Sequence, residues 1–131
     1  MLRRLVVLIP MVLMFLPQVR GEEKVIIAVA SDGKTLEADV SLLAARAPYF
    51  LMVDGEGKLM EAVENPYKDT RGGAGVSAAH FLADKNVTIV IAGNFGNKMV
   101  DVLKAQEIAY FEFQGIAGDA VKKILEKEGR L

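Results

Sequence analysis

The apolar residues of this chain fall into short runs separated by polar turns, and these runs predict five β-strands. Residues 25–30 are continuously apolar, and in the segment 88–92 four apolar residues follow a threonine, which is typical of strands that are buried on both faces of a sheet. Three further extended segments cover 49–53, 58–64 and 109–113. The turn between the first two of these contains two glycines and predicts a hairpin.

Three later segments have helical periodicity, at 75–85, 97–106 and 118–128. Each carries an apolar stripe at the spacing that places residues on one helix face. The inward positions predicted for the first and third helices are Val76, Ala79, Ala83, Ala120, Val121, Ile124 and Leu125. The segment 35–47 has only weak patterning and predicts a loop with a short helical turn. The order β-β-β-α-β-α-β-α predicts a mixed sheet with helices on both faces.

Glycines are concentrated directly before the first predicted helix, at Gly72, Gly73 and Gly75. Three glycines in four residues exceed what a single turn requires, and the bare N–H groups at a helix start attract anions. A second glycine-rich turn, at 93–96, precedes the second predicted helix at the same edge of the sheet. We therefore predict a ligand site where the two turns present bare N–H groups, with a tight strand-to-helix turn as the alternative for 72–75. No Gly-Lys-Ser/Thr sequence follows, so a nucleotide-hydrolysing loop is not indicated.

The N-terminal residues predict a secretory signal peptide. Arginines at positions 3 and 4 precede an apolar run at 5–16, and a Val-x-Gly ending follows at 19–21, as in exported proteins. The run is short for a comfortable transmembrane helix. We expect removal of residues 1–21, leaving 22–131 as one domain that is secreted or periplasmic. An uncleaved leader that anchors the chain to a membrane is the alternative.

Charge and cysteine content exclude several classes of function. Without residues 1–21 the chain has 13 basic and 17 acidic residues, a net charge of −4, so it lacks a basic footprint for nucleic acid. It has no cysteine, which excludes a disulfide scaffold and removes the usual thiolate ligands of iron–sulfur clusters. His80 is the single histidine, and a metal site needs three or four donors, so we expect a packed or surface histidine.

Five segments follow one another in the order and spacing of a known family. They begin with Ile-Ala-Val-Ala-Ser-Asp-Gly-Lys at 27–34 and include 46–54, Glu-Asn-Pro at 64–66, 72–79 and 91–94. Together they resemble the dinitrogenase iron-molybdenum cofactor biosynthesis family, the small NifX-type module that also forms the C-terminus of NifB-type proteins.

The resemblance implies an α/β fold, namely a ribonuclease H-like mixed five-stranded sheet in the order 3-2-1-4-5 with helices on both faces. In that order strands one, four and five are parallel, and their C-terminal ends meet at one rim. Ligands of open α/β sheets bind in a crevice at such a rim. The predicted cofactor-binding residues are therefore Asp32, Gly33, Arg46, Gly72, Gly73, Gly75 and Asn94.

The resemblance also implies a domain that is not an enzyme. Such a domain binds or carries an iron–sulfur or iron–molybdenum cofactor precursor, or another small anionic ligand, and passes it to a partner protein. Family members often have a histidine in Ser-Pro-His-Phe-Gly-Arg-Ala-Pro, and this chain has Leu43 at that place. The alternative is a structural or protein-interaction module that keeps the fold without cofactor. Metal-assisted phosphoester hydrolysis is disfavoured because the strand at 88–92 has no carboxylate.

Overall fold

The computed structural model of the protein describes residues 24–129. The predicted signal peptide at 1–21 lies outside the described residues. Within 24–129, no helix combines the length and the apolar character that a membrane crossing requires.

The sheet has five strands in the order β3-β2-β1-β4-β5. The strand β1 is parallel to β4, which is parallel to β5, whereas β1, β2 and β3 are successively antiparallel. The strand order and the mixed directions predicted from the resemblance are therefore confirmed. The bounds of the strands are β1 Ile26–Ser31, β2 Tyr49–Asp54, β3 Leu59–Glu64, β4 Ile89–Ala92 and β5 Ala109–Glu112.

Two helices cover one face of the sheet and the third covers the other. Helices α1 and α2 pack against small side chains of β1, such as Ala28, whereas α3 packs against larger ones, such as Ile27 and Val29. The strand alternates in this way because successive residues point to opposite faces. Small residues on one face allow two helices to lie close to the backbone of the sheet. The helices are α1 Ala74–Asp84, α2 Asn97–Ala105 and α3 Ala117–Lys127.

The buried face of α1 differs from the sequence prediction. Ala79 is buried as predicted, but Val76 and Ala83 are only half-buried, and Ala78 and Leu82 are fully buried instead. Most residues of this helix are small or apolar, so periodicity alone does not select one face. In α3 charged residues alternate with apolar ones, and there all four predicted inward residues are buried.

The predicted hairpin between β2 and β3 is confirmed, and Asp54 organises its turn. An oxygen of the Asp54 carboxylate accepts hydrogen bonds from the backbone N–H groups of Glu56 at 2.9 Å and Lys58 at 3.0 Å. These donors, first that of Lys58, hold the pKa of the Asp54 carboxyl below its usual value because they stabilise the ionised form.

A segment that the sequence predicted as a loop with a short helical turn crosses the carboxyl ends of the parallel strands, and the short turn is the 3₁₀ turn Ala44–Arg46. We call residues 36–44 the strap. The Ser41 N–H donates to the Ala30 carbonyl of β1 at 2.8 Å, and the Ser41 carbonyl accepts the Gly93 N–H after β4 at 2.9 Å. The Val40 N–H donates to a carbonyl beyond β5 at 2.8 Å. The strap thus closes the rim at which a ligand crevice was expected.

We predict that Gly93→Ala destabilises the protein by about 1–3 kcal/mol, because an added Cβ would lie 2.9 Å from both the Cα and the carbonyl oxygen of Leu42 in the strap. Gly96→Ala is the matched control, since its Cβ would meet no atom within 4 Å. Urea unfolding of both variants measures the difference. Equal losses for the two variants would contradict the role assigned to the strap.

Candidate functional site: a groove between two helix starts

A groove of about 320 Å³ lies where the first turns of α1 and α2 meet. Residues 73–76 of α1 form one wall, and residues 96–99 of α2 form the other. Ala45 and Arg46, from the short 3₁₀ turn that follows the strap, complete the lining.

Gly75 allows the two helix starts to approach each other. A Cβ on Gly75 would lie 3.0 Å from the Cβ of Met99, which is itself buried against the same core. A larger residue at position 75 would push the helices apart. The third glycine of the predicted cluster, Gly75, therefore has a packing role that also shapes the groove.

Both helix starts present backbone N–H groups that have no acceptor in the described part of the chain. Neither α1 nor α2 has a side-chain N-cap, and glycines, Gly73 and Gly96, occupy both cap positions. Within residues 24–129, the N–H groups of 74–76 and 97–99 donate to no acceptor. The aligned peptide dipoles make each such end partially positive, so two positive helix ends meet at one groove.

The charged side chains of the groove have the same sign. Among residues 24–129, Arg46 and Lys98 are its charged lining residues, and no carboxylate of this part of the chain lines it. A site that is built from N–H donors and cations, and that has no negatively charged side chain, is complementary to an anion.

A second group of predicted site residues lies elsewhere on the rim, against the strap. The Asp32 carboxylate accepts a hydrogen bond from the Ser41 hydroxyl at 2.6 Å, and the Asn94 carbonyl accepts one from the Ala44 N–H at 3.0 Å. At Gly33 an added Cβ would lie 2.9 Å from the Cβ of Ala38, so a close contact with the chain itself requires this glycine.

The structure therefore divides the predicted site residues into two sets. Arg46, Gly73 and Gly75 line the groove. Asp32, Gly33 and Asn94 lie at the strap, and Gly72 is adjacent to the groove without lining it. The sequence indicated the glycine-rich turn at 93–96 as a second helix start near the ligand site, but the predicted cofactor-binding residues did not include Gly96, Asn97 and Lys98 of the second wall.

Direct metal ligation does not fit the residues of the described chain. Within 24–129 there is no group of three or more His, Cys, Asp or Glu side chains that could hold a metal ion. His80 is exposed on α1. Leu43, at the place of the family's histidine, is an exposed apolar residue of the strap.

A family comparison and a structural comparison agree with this fold. The family model described as dinitrogenase iron-molybdenum cofactor matches residues 23–127. No match was found among the curated proteins.

Solved structures with the same fold include proteins from bacteria and archaea. The apo form of the orange protein from Desulfovibrio gigas is 29% identical, with a TM-score of 0.75 over 82% of this chain and 91% of that chain. A proposed NifB protein from Thermotoga is 35% identical, with a TM-score of 0.66 over 81% and 90%. A proposed dinitrogenase from Methanocaldococcus jannaschii is 16% identical, with a TM-score of 0.56 over 81% and 92%, which shows the fold alone.

We predict that Gly73→Ala weakens binding of molybdate, a compact probe anion, about tenfold, because the added methyl group would occupy open space at the groove wall and keep the anion from close approach to the N–H groups. A tenfold loss corresponds to about 1.5 kcal/mol, the size of one charge-assisted hydrogen bond. Gly72→Ala is the matched control. Both glycines have positive φ, at 63° and 74°, and open space around the missing Cβ, so both variants lose a similar stability of about 1–2 kcal/mol. Only Gly73 lines the groove. Isothermal titration measures the two affinities, and equal weakening would show that the groove is not the anion site.

Proposed function

The chain belongs to the dinitrogenase iron-molybdenum cofactor family, and we propose on that premise that it binds and carries an anionic metal–sulfur cargo in the groove between α1 and α2. The observation that supports this proposal most directly is the composition of the groove. Two uncapped helix starts and two cations surround a space that no carboxylate lines. The Thermotoga protein proposed to be a NifB protein, at 35% identity, supports cofactor handling as the class of function.

The cargo would be retained by its outer surface. The chain has no thiolate, and carboxylate and amide oxygens are poor ligands for iron–sulfide surfaces. Backbone N–H groups and the Arg46 guanidinium can instead donate hydrogen bonds to sulfides or to anionic appendages of a cluster. Such binding leaves the metal ions unligated by protein, so release to a partner requires no exchange of protein ligands. A labile, transferable cargo suits a carrier.

We infer that the domain is not an enzyme. The groove contains donors and cations but no general base and no nucleophile–base pair. Its chemistry is suited to holding an anion and not to transforming one.

A protein-interaction role is the second candidate function, and one observation favours it. Leu42 and Leu43 are adjacent on the strap and are 64% and 49% exposed. Two large apolar side chains exposed side by side are typical of contact surfaces. A module that kept the fold and lost the cargo would retain this surface and would not need the free N–H groups of the groove.

We expect reconstitution with iron, sulfide and molybdate under anaerobic conditions to load the protein with cargo that a small chelator removes within minutes, because no protein ligand holds the metal. His80→Ala serves as a control: an exposed histidine outside the groove should change neither loading nor release. Metal analysis and absorption spectra follow both steps. Loading that depends on His80 would overturn the proposed mode of binding, and absence of any loading would favour the interaction module.

We also propose export, on the basis of the leader-like residues 1–21. The mature chain should begin near Glu22 in a secreted or periplasmic fraction of the native host. N-terminal sequencing decides the matter, and a cytoplasmic chain that starts at Met1 would contradict it. A membrane-bound chain with an intact leader would indicate the anchored alternative.

A further inference from the structure

The loop at 65–73 connects β3 to α1, and its first residue is fixed on the 3₁₀ turn. Asn65 is 2% exposed. Its side-chain Nδ2 donates to the Ala45 carbonyl at 3.0 Å, and its backbone N–H donates to the Pro48 carbonyl at 3.1 Å. Its Oδ1 accepts the Tyr67 N–H at 3.0 Å. The beginning of the loop is therefore firmly held.

The loop has one turn hydrogen bond of its own, from the Thr70 N–H to the Tyr67 carbonyl at 3.1 Å, and the Tyr67 ring packs edge-on against Phe81 of α1. One exposed side chain then joins the middle of the loop to the 3₁₀ turn. Nη1 of Arg46 donates to the carbonyl oxygens of Lys68 at 2.9 Å and Thr70 at 2.6 Å. A guanidinium has five N–H donors, so the Nε and both Nη2 donors are left for another acceptor. Water competes for exposed donors and acceptors, so the net contribution of an exposed hydrogen bond to stability is modest. We therefore expect the hydrogen bonds from Arg46 to the loop to form and break reversibly in solution.

The end of the loop carries Gly72 and Gly73, where an added Cβ would meet no atom within 4 Å. Gly73 is the N-cap of α1 and part of the groove wall. Arg46 therefore holds the middle of a loop that ends at the helix start where a ligand would bind.

We propose that Arg46 is a positioning residue that couples filling of the groove to the order of the loop at 65–73. This inference rests on the proposed function, because it requires an anion in the groove. A bound anion takes the free guanidinium donors and fixes the side chain, and the fixed Nη1 then holds the loop. By reciprocity, the ordered loop prepares the guanidinium for the anion. Arg46 lines the groove and contacts the loop, so one side chain joins the two.

The test compares Arg46→Lys with Lys98→Ala by amide hydrogen exchange of a peptide that covers 66–72. Arg46→Lys keeps the charge but loses the planar fork that can serve two acceptors. Lys98→Ala removes the other cation of the groove, which makes no hydrogen bond to the loop. Without ligand, we expect exchange in 66–72 to be about fivefold faster in Arg46→Lys than in the parent, and unchanged in Lys98→Ala.

Saturating molybdate provides the second comparison. In the parent protein we expect loop exchange to slow by about 5- to 10-fold, the range of a modest coupling free energy. Lys98→Ala needs more molybdate to saturate and then shows the same slowing. In Arg46→Lys we expect saturating molybdate to leave loop exchange unchanged, whatever the affinity of this variant for molybdate.

The outcomes separate this inference from the proposed function. If molybdate binds the parent and the loop does not respond, or if Arg46→Lys shows full slowing, the coupling is wrong and the carrier function stands. If neither molybdate nor a reconstituted cluster binds the parent, the proposed function and the coupling both fail. If the ligand-free loop exchanges equally in the parent and in Arg46→Lys, the contacts of Arg46 do not hold the loop and the inference fails by that result alone.

Discussion

Close approach of α1 and α2 over one face of the sheet is the constraint on which the candidate site depends. The face beneath them carries small side chains, including Ala28, Ala30 and Ala92, and the helix start at Gly75 contacts Met99 without an intervening side chain. Close packing of this kind leaves little tolerance for added volume. As a result, two helix starts with free N–H groups lie side by side, and their partial charges act on the same space.

The strap is the second element that defines the site. Its hydrogen bonds to β1 and to the residues after β4 fix the 3₁₀ turn, and that turn supplies both Arg46 and the acceptor for Asn65. The C-terminal rim, where open α/β sheets usually bind ligands, is occupied by the protein's own backbone. The free N–H donors lie beside the strap, on the face of the sheet that α1 and α2 cover.

The sequence predicted the elements well and their tertiary contacts less well. All five strands and three helices were expected because continuous apolar runs, a glycine hairpin and charged-apolar alternation are local signals. The strap was missed because its order comes from hydrogen bonds to strand ends that are distant in sequence, such as the contact of Ser41 with Gly93. The face of α1 was misjudged because a helix rich in alanine gives no strong periodicity.

The candidate site was likewise predicted only where local sequence signals exist, and not where contacts between distant segments decide. Arg46, Gly73 and Gly75 were selected from a glycine cluster and a family-like motif, and they do meet at one groove. Asp32 and Asn94 were selected because parallel strand ends meet at one rim, a topological argument that does not reveal a covering segment. Lys98 was not selected because an exposed lysine at a helix start has no distinguishing local pattern.

We propose that anions bind this domain in the groove between the helix starts and not at the rim beneath the strap. Amide chemical-shift mapping during a molybdate titration distinguishes the two places, because every N–H donor assigned to the groove gives its own signal. We expect the largest saturable shifts at the amides of residues 74–76 and 97–99. Shifts concentrated at Asp32, Gly33 and Asn94, with the helix starts unperturbed, would show that the anion binds at the rim instead.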